Sequence, residues 1–330
     1  MMNSLKTKML EKPNAKHGRT RGESTITTYM NLIRLTFERL NPELKIENID
    51  FLLDAQKIHL YLDQYPVGTQ NNYLSAFVAV LEVCDLQLDS ALIDGYRERL
   101  MANIKDIKKI KLEQKKSPVE EENWTSLESL QKVATDYKKQ LTKLKVWKKK
   151  EENLTREERE LLKFWLIAEL YTADPVNNPP LRADYCNMKI VKYDDFINYT
   201  GEQLQHNYLV IKSSHKKFIS LGNYKTANIY GVKKIPIGKV LNKVLNAFFK
   251  LHNKEYLLYT CTGKNVLTKN ALGHLLKRVF EPTGKKISIN MLRHIVISNW
   301  DSSPPIKEKM AMAEKMCHST GTQSLYTKHD

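Results

Sequence analysis

The spacing of apolar positions divides the chain into an all-helical beginning and a mixed remainder. From Ser24 onward, Ile26, Met30, Ile33, Phe37 and Leu40 recur at the three-and-four spacing that lines one face of a helix. The same rhythm returns over 51–62 and over 69–83, where Tyr73, Phe77 and Val80 share a face with Cys84 just beyond. A fourth helical pattern runs over 92–116 and becomes steadily more basic. Four helices in so short a span predict a compact all-α module. Ahead of it, residues 1–22 carry Lys6, Lys8, Lys12, Lys16, Arg19 and Arg21 with almost no periodic apolar content, which predicts a flexible basic arm.

Ser117-Pro118 stops the fourth helix, because the residue before a proline is pushed out of helical geometry. Glu120-Glu121-Glu122 follows. Thr125-x-x-Glu128 and Thr155-x-x-Glu158 both read as capping boxes. The first opens an amphipathic helix ending in Trp147-Lys148-Lys149-Lys150, and the second an apolar helix over 161–171. Short β-rich runs at 208–211, 218–221 and 232–237, separated by polar turns, predict a small antiparallel sheet. Helical patterns then return at 238–251, 268–280, 289–300 and 306–316. The expected fold is mainly α with a small antiparallel sheet: an arm over 1–22, a helical module over 23–116, and an α+β domain over 117–330. The boundary between the last two falls somewhere between about 105 and 123.

Composition narrows the function. Hydrophobic residues make up 42% of 330, enough to bury a core and to exclude global disorder. No run approaches the roughly 20 apolar residues of a membrane span. The basic start has no apolar stretch of the kind a secretory leader needs, so an intracellular protein is expected. Lys and Arg number 53 against 37 Asp and Glu, a net charge of +16 that attracts a polyanion or simply solvates a Lys-rich surface. Cys84, Cys186, Cys261 and Cys317 lie too far apart in sequence for a thiolate zinc site, and nothing supports a disulfide. Thr262-Gly263-Lys264 lacks the glycine a P-loop requires; neither G-x-G-x-x-G nor H-E-x-x-H occurs. No cofactor or metal is expected.

A scattered polar set remains in the second domain. Pro179-Pro180-Leu181-Arg182-Ala183-Asp184-Tyr185 follows an apolar helix and precedes the sheet. Asn223-Tyr224-Lys225-Thr226 sits in the turn between the second and third predicted strands. Asn290-Met291-Leu292-Arg293-His294 lies within an otherwise apolar helix, with Asn290 and Arg293 on one edge. Met316-Cys317-His318-Ser319 ends the next helix, and Tyr326 follows. Singly, each has an ordinary reading: Arg182 paired with Asp184, Lys225 a solvated tip, His318 a helix-end histidine, Tyr326 one aromatic among many. Arg293 is harder to dismiss, because a guanidinium among Met291, Leu292, Ile295 and Val296 needs a partner to be buried.

In this order the set resembles the tyrosine recombinase (phage-integrase-like) family, and in motif detail the recombinases of large DNA viruses and their satellite elements. The resemblance extends over nearly the whole chain, since the N-terminal module is similar to that family's core-binding domain. It implies that Arg182 and Arg293 are the catalytic arginines, Lys225 the sheet-turn lysine and general acid, His318 a phosphate ligand and Tyr326 the nucleophile. It further implies double-stranded DNA as partner, self-association on DNA, and a nuclear or viral-factory location. Asn290 stands where the family usually has histidine, so the proton acceptor is left to water, His294 or the substrate. Asp184 follows Arg182 by two residues rather than three, and only four residues follow Tyr326. A type IB topoisomerase and an inert DNA-binding relative remain as alternative readings.

Overall fold

The computed structural model describes residues 2–12, 21–84, 90–260, 262–300 and 306–329. Lys16 and Arg19 of the expected arm, and Cys261, lie outside them. The chain divides into two units, Met1–Glu113 and Gln114–Asp330. No helix among the described residues is long and apolar enough to cross a membrane.

The first unit is helical, with helices Met2–Glu11, Glu23–Leu40, Ala55–Asp63, Val67–Leu81 and Ser90–Leu112. Its core gathers Ile26, Ile33, Leu52, Ile58, Leu62, Leu74, Phe77 and Tyr96. The Tyr96 hydroxyl donates to the Leu52 carbonyl at 2.7 Å, so this fully buried phenol is satisfied. Part of the expected arm is instead a helix. Leu5 and Met9 fall on one face of Met2–Glu11 and are buried in the same core, a short apolar stripe hidden by the surrounding lysines. Ser90–Leu112 runs out into solvent, with Lys105, Lys108, Lys109 and Lys111 all exposed.

In the second unit, helix Arg156–Thr172 is the centre. It packs against Leu127–Lys143, Lys239–Phe249 and Lys269–Val279, and contributes Trp165, Leu166 and Tyr171 to one large core. Its start is the expected Thr155–Glu158 capping box. Leu127–Lys143, however, is capped by Ser126, whose hydroxyl accepts from the Ser129 amide, one residue later than Thr125. Helix Pro118–Asn123 is opened by a further capping box, Ser117 with Glu120.

The sheet comprises β1 (Lys189–Lys192), β2 (Asn207–Ile211), β3 (Lys217–Leu221) and β4 (Lys233–Pro236), in that order. The predicted strands form its antiparallel part, with Leu209 opposite Ile219 and Ile219 opposite Ile235. The sheet is mixed, because β1 adds to β2 in parallel, pairing Ile190 with Leu209. Lys-Ile-Val-Lys is short and carries charge at both ends, which hid it.

Candidate functional site

Arg182 sits at the entrance to a single 3-10 turn, Ala183–Tyr185, ten residues beyond the end of the central helix of the second unit. That turn is fixed from below. The Tyr171 hydroxyl donates to the Arg182 carbonyl at 2.9 Å and the Tyr185 hydroxyl to the Leu170 carbonyl at 3.1 Å. Asp184 is buried beside it. Burial raises the Asp184 carboxyl's pKa, against the opposing pull of Lys269, Arg182 and Arg293. Both arginines lie near enough to favour its ionised form.

Asn207, at the start of β2, joins this turn to the one carrying Lys225. Its amide nitrogen donates to the carbonyls of Asp184 (3.1 Å) and Asn223 (2.9 Å), while its oxygen accepts from the amides of Gly222 and Asn223. A Cβ at Gly222 would collide with the Leu204 carbonyl, so the close approach demands glycine. Lys225 lies between β3 and β4 as expected, and is exposed. The neighbouring Thr226 hydroxyl donates to the Cys317 carbonyl at 2.9 Å, which ties this turn to the segment bearing His318.

Helix Ile289–Asn299 buries Arg293 completely. Its Nη1 donates to the Pro180 carbonyl at 2.6 Å and its Nη2 lies 3.5 Å from the Met316 carbonyl. One guanidinium therefore touches both the Arg182 approach and the His318 approach. Asn290, in the first turn of that helix, is exposed. Among the described residues, no hydrogen bond or ring contact joins Asn290 or Lys225 to the cluster.

His318 is delivered by the way helix Ile306–Lys315 stops. Cys317 takes a left-handed conformation (φ 57°), with its amide bonded to the Glu314 carbonyl and the His318 amide to the Ala313 carbonyl. This is the Schellman pattern, which usually places glycine where Cys317 stands. Tyr326 follows a short helix, Thr320–Ser324. Its ring lies 5.4 Å from that of His318 and 4.8 Å from that of His294, and the Arg293 guanidinium carbon is 5.0 Å from its centroid. Arg182, Arg293, His318 and Tyr326 thus converge, and sequence reasoning had named all four.

Electrostatics follow from that convergence. Burial would raise the Tyr326 phenol's pKa, but the charge and hydrogen bond of Arg293, then those of Arg182, outweigh it and bring the pKa below its usual value. Burial, with repulsion from Arg293 and Arg182, pushes His318 down to about 3. Neither of its ring nitrogens has a hydrogen-bond partner among the described residues, and neither has Arg293 Nε. Donors of this kind, buried and unspent, suit an anion bearing several oxygens.

Holding His318 neutral links folding to pH. The unfolded imidazole binds a proton near its ordinary 6.5 and the folded one does not, so stability is lost as pH falls below that value. At about pH 5 the loss is roughly 2 kcal/mol, at about 1.4 kcal/mol per unit of displacement. Thermal unfolding of the second unit should show this acid-side decline, and His318→Gln should flatten it. An unchanged slope in that variant would contradict a neutral, buried His318.

No family model matches the chain, and no curated protein is significantly similar to it in sequence. A solved structure of XerA recombinase is similar over 99% of this chain and 94% of its own, with 13% identity and a TM-score of 0.40. So distant a likeness leaves the chemistry to be read from the cluster itself.

Proposed function

We propose that this protein cuts and rejoins double-stranded DNA by transesterification at Tyr326, as a site-specific recombinase or integrase. The observation that carries the reading is the convergence of two arginines on one tyrosine phenol, with a neutral histidine beside them. Cleaving a phosphodiester this way needs a nucleophile, neutralisation of the charge that builds on the phosphorane, and a proton for the leaving 5′-hydroxyl.

In this reading the Tyr326 oxygen attacks phosphorus and forms a 3′-phosphotyrosyl bond as the 5′-oxygen leaves. Arg182 and Arg293 offer forked donors to the non-bridging oxygens, and His318 adds a neutral donor. Lys225, on its exposed turn, reaches the leaving oxygen as general acid. Asn290 can contact a phosphate oxygen from the first turn of its helix. His294 is unsuited to accept the phenolic proton, because its Nδ1 is bonded to the Tyr326 carbonyl and its Nε2 faces Glu120. Water or the substrate takes that proton, helped by the lowered phenol pKa. The covalent link conserves the bond energy for religation, so no nucleotide or metal is needed.

Incubation with a nicked suicide duplex, followed by a denaturing gel, tests this directly. A protein–DNA adduct is expected. No adduct on any DNA would favour an inert DNA-binding relative, and relaxation of supercoiled plasmid lacking a defined site would favour a type IB topoisomerase. We also propose self-association on DNA, and a nuclear or viral-factory location if the gene belongs to a viral element.

DNA affinity in this reading rests on phosphate contacts, so its logarithm should fall linearly with the logarithm of salt, by about 0.9 per contact. The exposed Lys105, Lys108, Lys109 and Lys111 are the natural contributors from the first unit. Changing all four to glutamine should make the slope shallower by about 0.9 for each lysine that meets a phosphate. An unaltered slope would remove this helix from the interface.

A further inference from the structure

The chain on both sides of Tyr326 is held by residues outside the reacting cluster. His294 Nδ1 lies 2.9 Å from the Tyr326 carbonyl oxygen. A carbonyl can only accept, so Nδ1 carries the proton and the ring's Nε2 faces outward. There it lies 3.6 Å from Glu120 Oε1 without a proton to share, because burial keeps the imidazole neutral. The other oxygen, Oε2, lies 3.3 Å from Lys328 Nζ. Lys328 also donates from Nζ to the Lys115 carbonyl at 2.9 Å and from its amide to Ser298 Oγ at 2.8 Å. All three ionisable side chains are mostly buried, at 18%, 19% and 10% exposure for His294, Glu120 and Lys328.

The same stretch of chain makes two further contacts. Gln114 Nε2 donates to the Ser324 carbonyl at 2.6 Å, and the Gln114 carbonyl accepts from the His329 amide at 3.0 Å. Residues 324, 328 and 329 are therefore gripped by a segment, 114–120, that directly follows the last residue of the first unit in sequence.

We infer that the segment 114–120 is a latch for the nucleophile, and that Glu120 is the positioning residue that closes it. This inference rests on the transesterification reading above. Glu120 touches no reacting atom. By holding Lys328 it fixes the main chain two residues beyond Tyr326, while His294 holds the Tyr326 carbonyl, and the two restraints set where the phenol points. A buried ion pair broken on one side leaves the other charge uncompensated, so removing the carboxylate should release Lys328. Displacement of a reacting group by about 1 Å is enough to cost on the order of 10²-fold in rate.

Glu120 also closes the capping box of its own helix, accepting from the Ser117 amide and hydroxyl, both at 2.8 Å. Two variants separate these roles. Glu120→Gln keeps the length and an acceptor for the cap but loses the charge; Ser117→Ala weakens the cap and keeps the charge.

The experiment measures three quantities in the full-length protein. These are DNA affinity, the single-turnover rate of adduct formation on a saturating nicked duplex, and hydrogen exchange of the 324–329 amides without DNA. Glu120→Gln should leave affinity unchanged, slow adduct formation about 10²-fold and speed exchange at Lys328 and His329 about tenfold. Ser117→Ala should match the wild type in rate. A Glu120→Gln enzyme with wild-type rate, whatever its exchange, would overturn the proposal. So would a rate deficit shared equally by Ser117→Ala, which would place the effect in the helix cap. If the wild type forms no adduct, the recombinase reading falls, and the exchange measurement alone decides whether Glu120 holds the tail.

Discussion

Tyr326→Phe should form no covalent adduct with DNA while binding it almost as well as the wild type. The substitution removes one oxygen and keeps the ring, so the contacts with His294, His318 and the Arg293 guanidinium persist. Both arginines remain to hold phosphate. The chemistry alone is lost, because nothing else in the cluster is a nucleophile with a pKa lowered by facing cations. Other tyrosines nearby are poorly placed to substitute. The Tyr185 hydroxyl is buried and bonded to Leu170, and burial pushes its pKa well up. Tyr224 donates to the Gly231 carbonyl and is pushed up to about 12, again by burial. Adduct formation by the Phe variant, read on a denaturing gel, would sink the assignment and direct attention to the exposed Tyr230.

Lys225→Ala should cleave an ordinary phosphodiester about 10²–10⁴-fold more slowly, the usual worth of a positioned general acid. On a substrate with sulfur in the bridging 5′ position the deficit should largely vanish, since a departing thiolate needs no proton. Arg182→Ala and Arg293→Ala should stay slow on both substrates, because charge on the phosphorane must be neutralised whichever atom leaves. The turn's construction suits this task. Lys225 is exposed and free to extend, yet Asn207 and Thr226 anchor the residues around it to the arginine turn and to Cys317. Equal impairment on both substrates would make Lys225 a phosphate ligand instead. Wild-type rates on both would make it a solvated tip.

What the sequence made legible, and what it hid, follows the range of the interactions. The helices of the first unit announced themselves because Ile26, Ile33 and Phe77 repeat at helical spacing over long runs. Helix Met2–Glu11 did not, because its stripe is only Leu5 and Met9 in a lysine-rich setting. The antiparallel strands carried β-branched runs, whereas β1 is four residues long and is defined by its neighbour. Arg182, Arg293, His318 and Tyr326 were visible as residue types in order. Asn207 and Glu120 were not, since their roles consist of bonds to chain segments far away in sequence. For Glu120 a trace existed: Ser117-x-x-Glu120 is a capping pattern, and it was hidden behind the proline that seemed only to end a helix. Asn290 shows the opposite failure, for sharing a helix edge with Arg293 did not make it share the burial.

The stop at Cys317 turns the preceding helix into a counting device. His318 reaches the cluster because the helix ends after a set number of residues and then reverses through one left-handed step. Each residue in a helix turns the chain by about 100° and advances it about 1.5 Å. A single inserted or deleted codon anywhere between Lys307 and Met316 would thus swing the imidazole off Tyr326, whereas exchanges on the outer face, at Met310 or Lys309, leave the count alone. Glycine at Cys317 would relax the backbone at that step and also widen the arc His318 can sweep. The position of His318 therefore depends on the length of this helix more than on the identity of its outward residues.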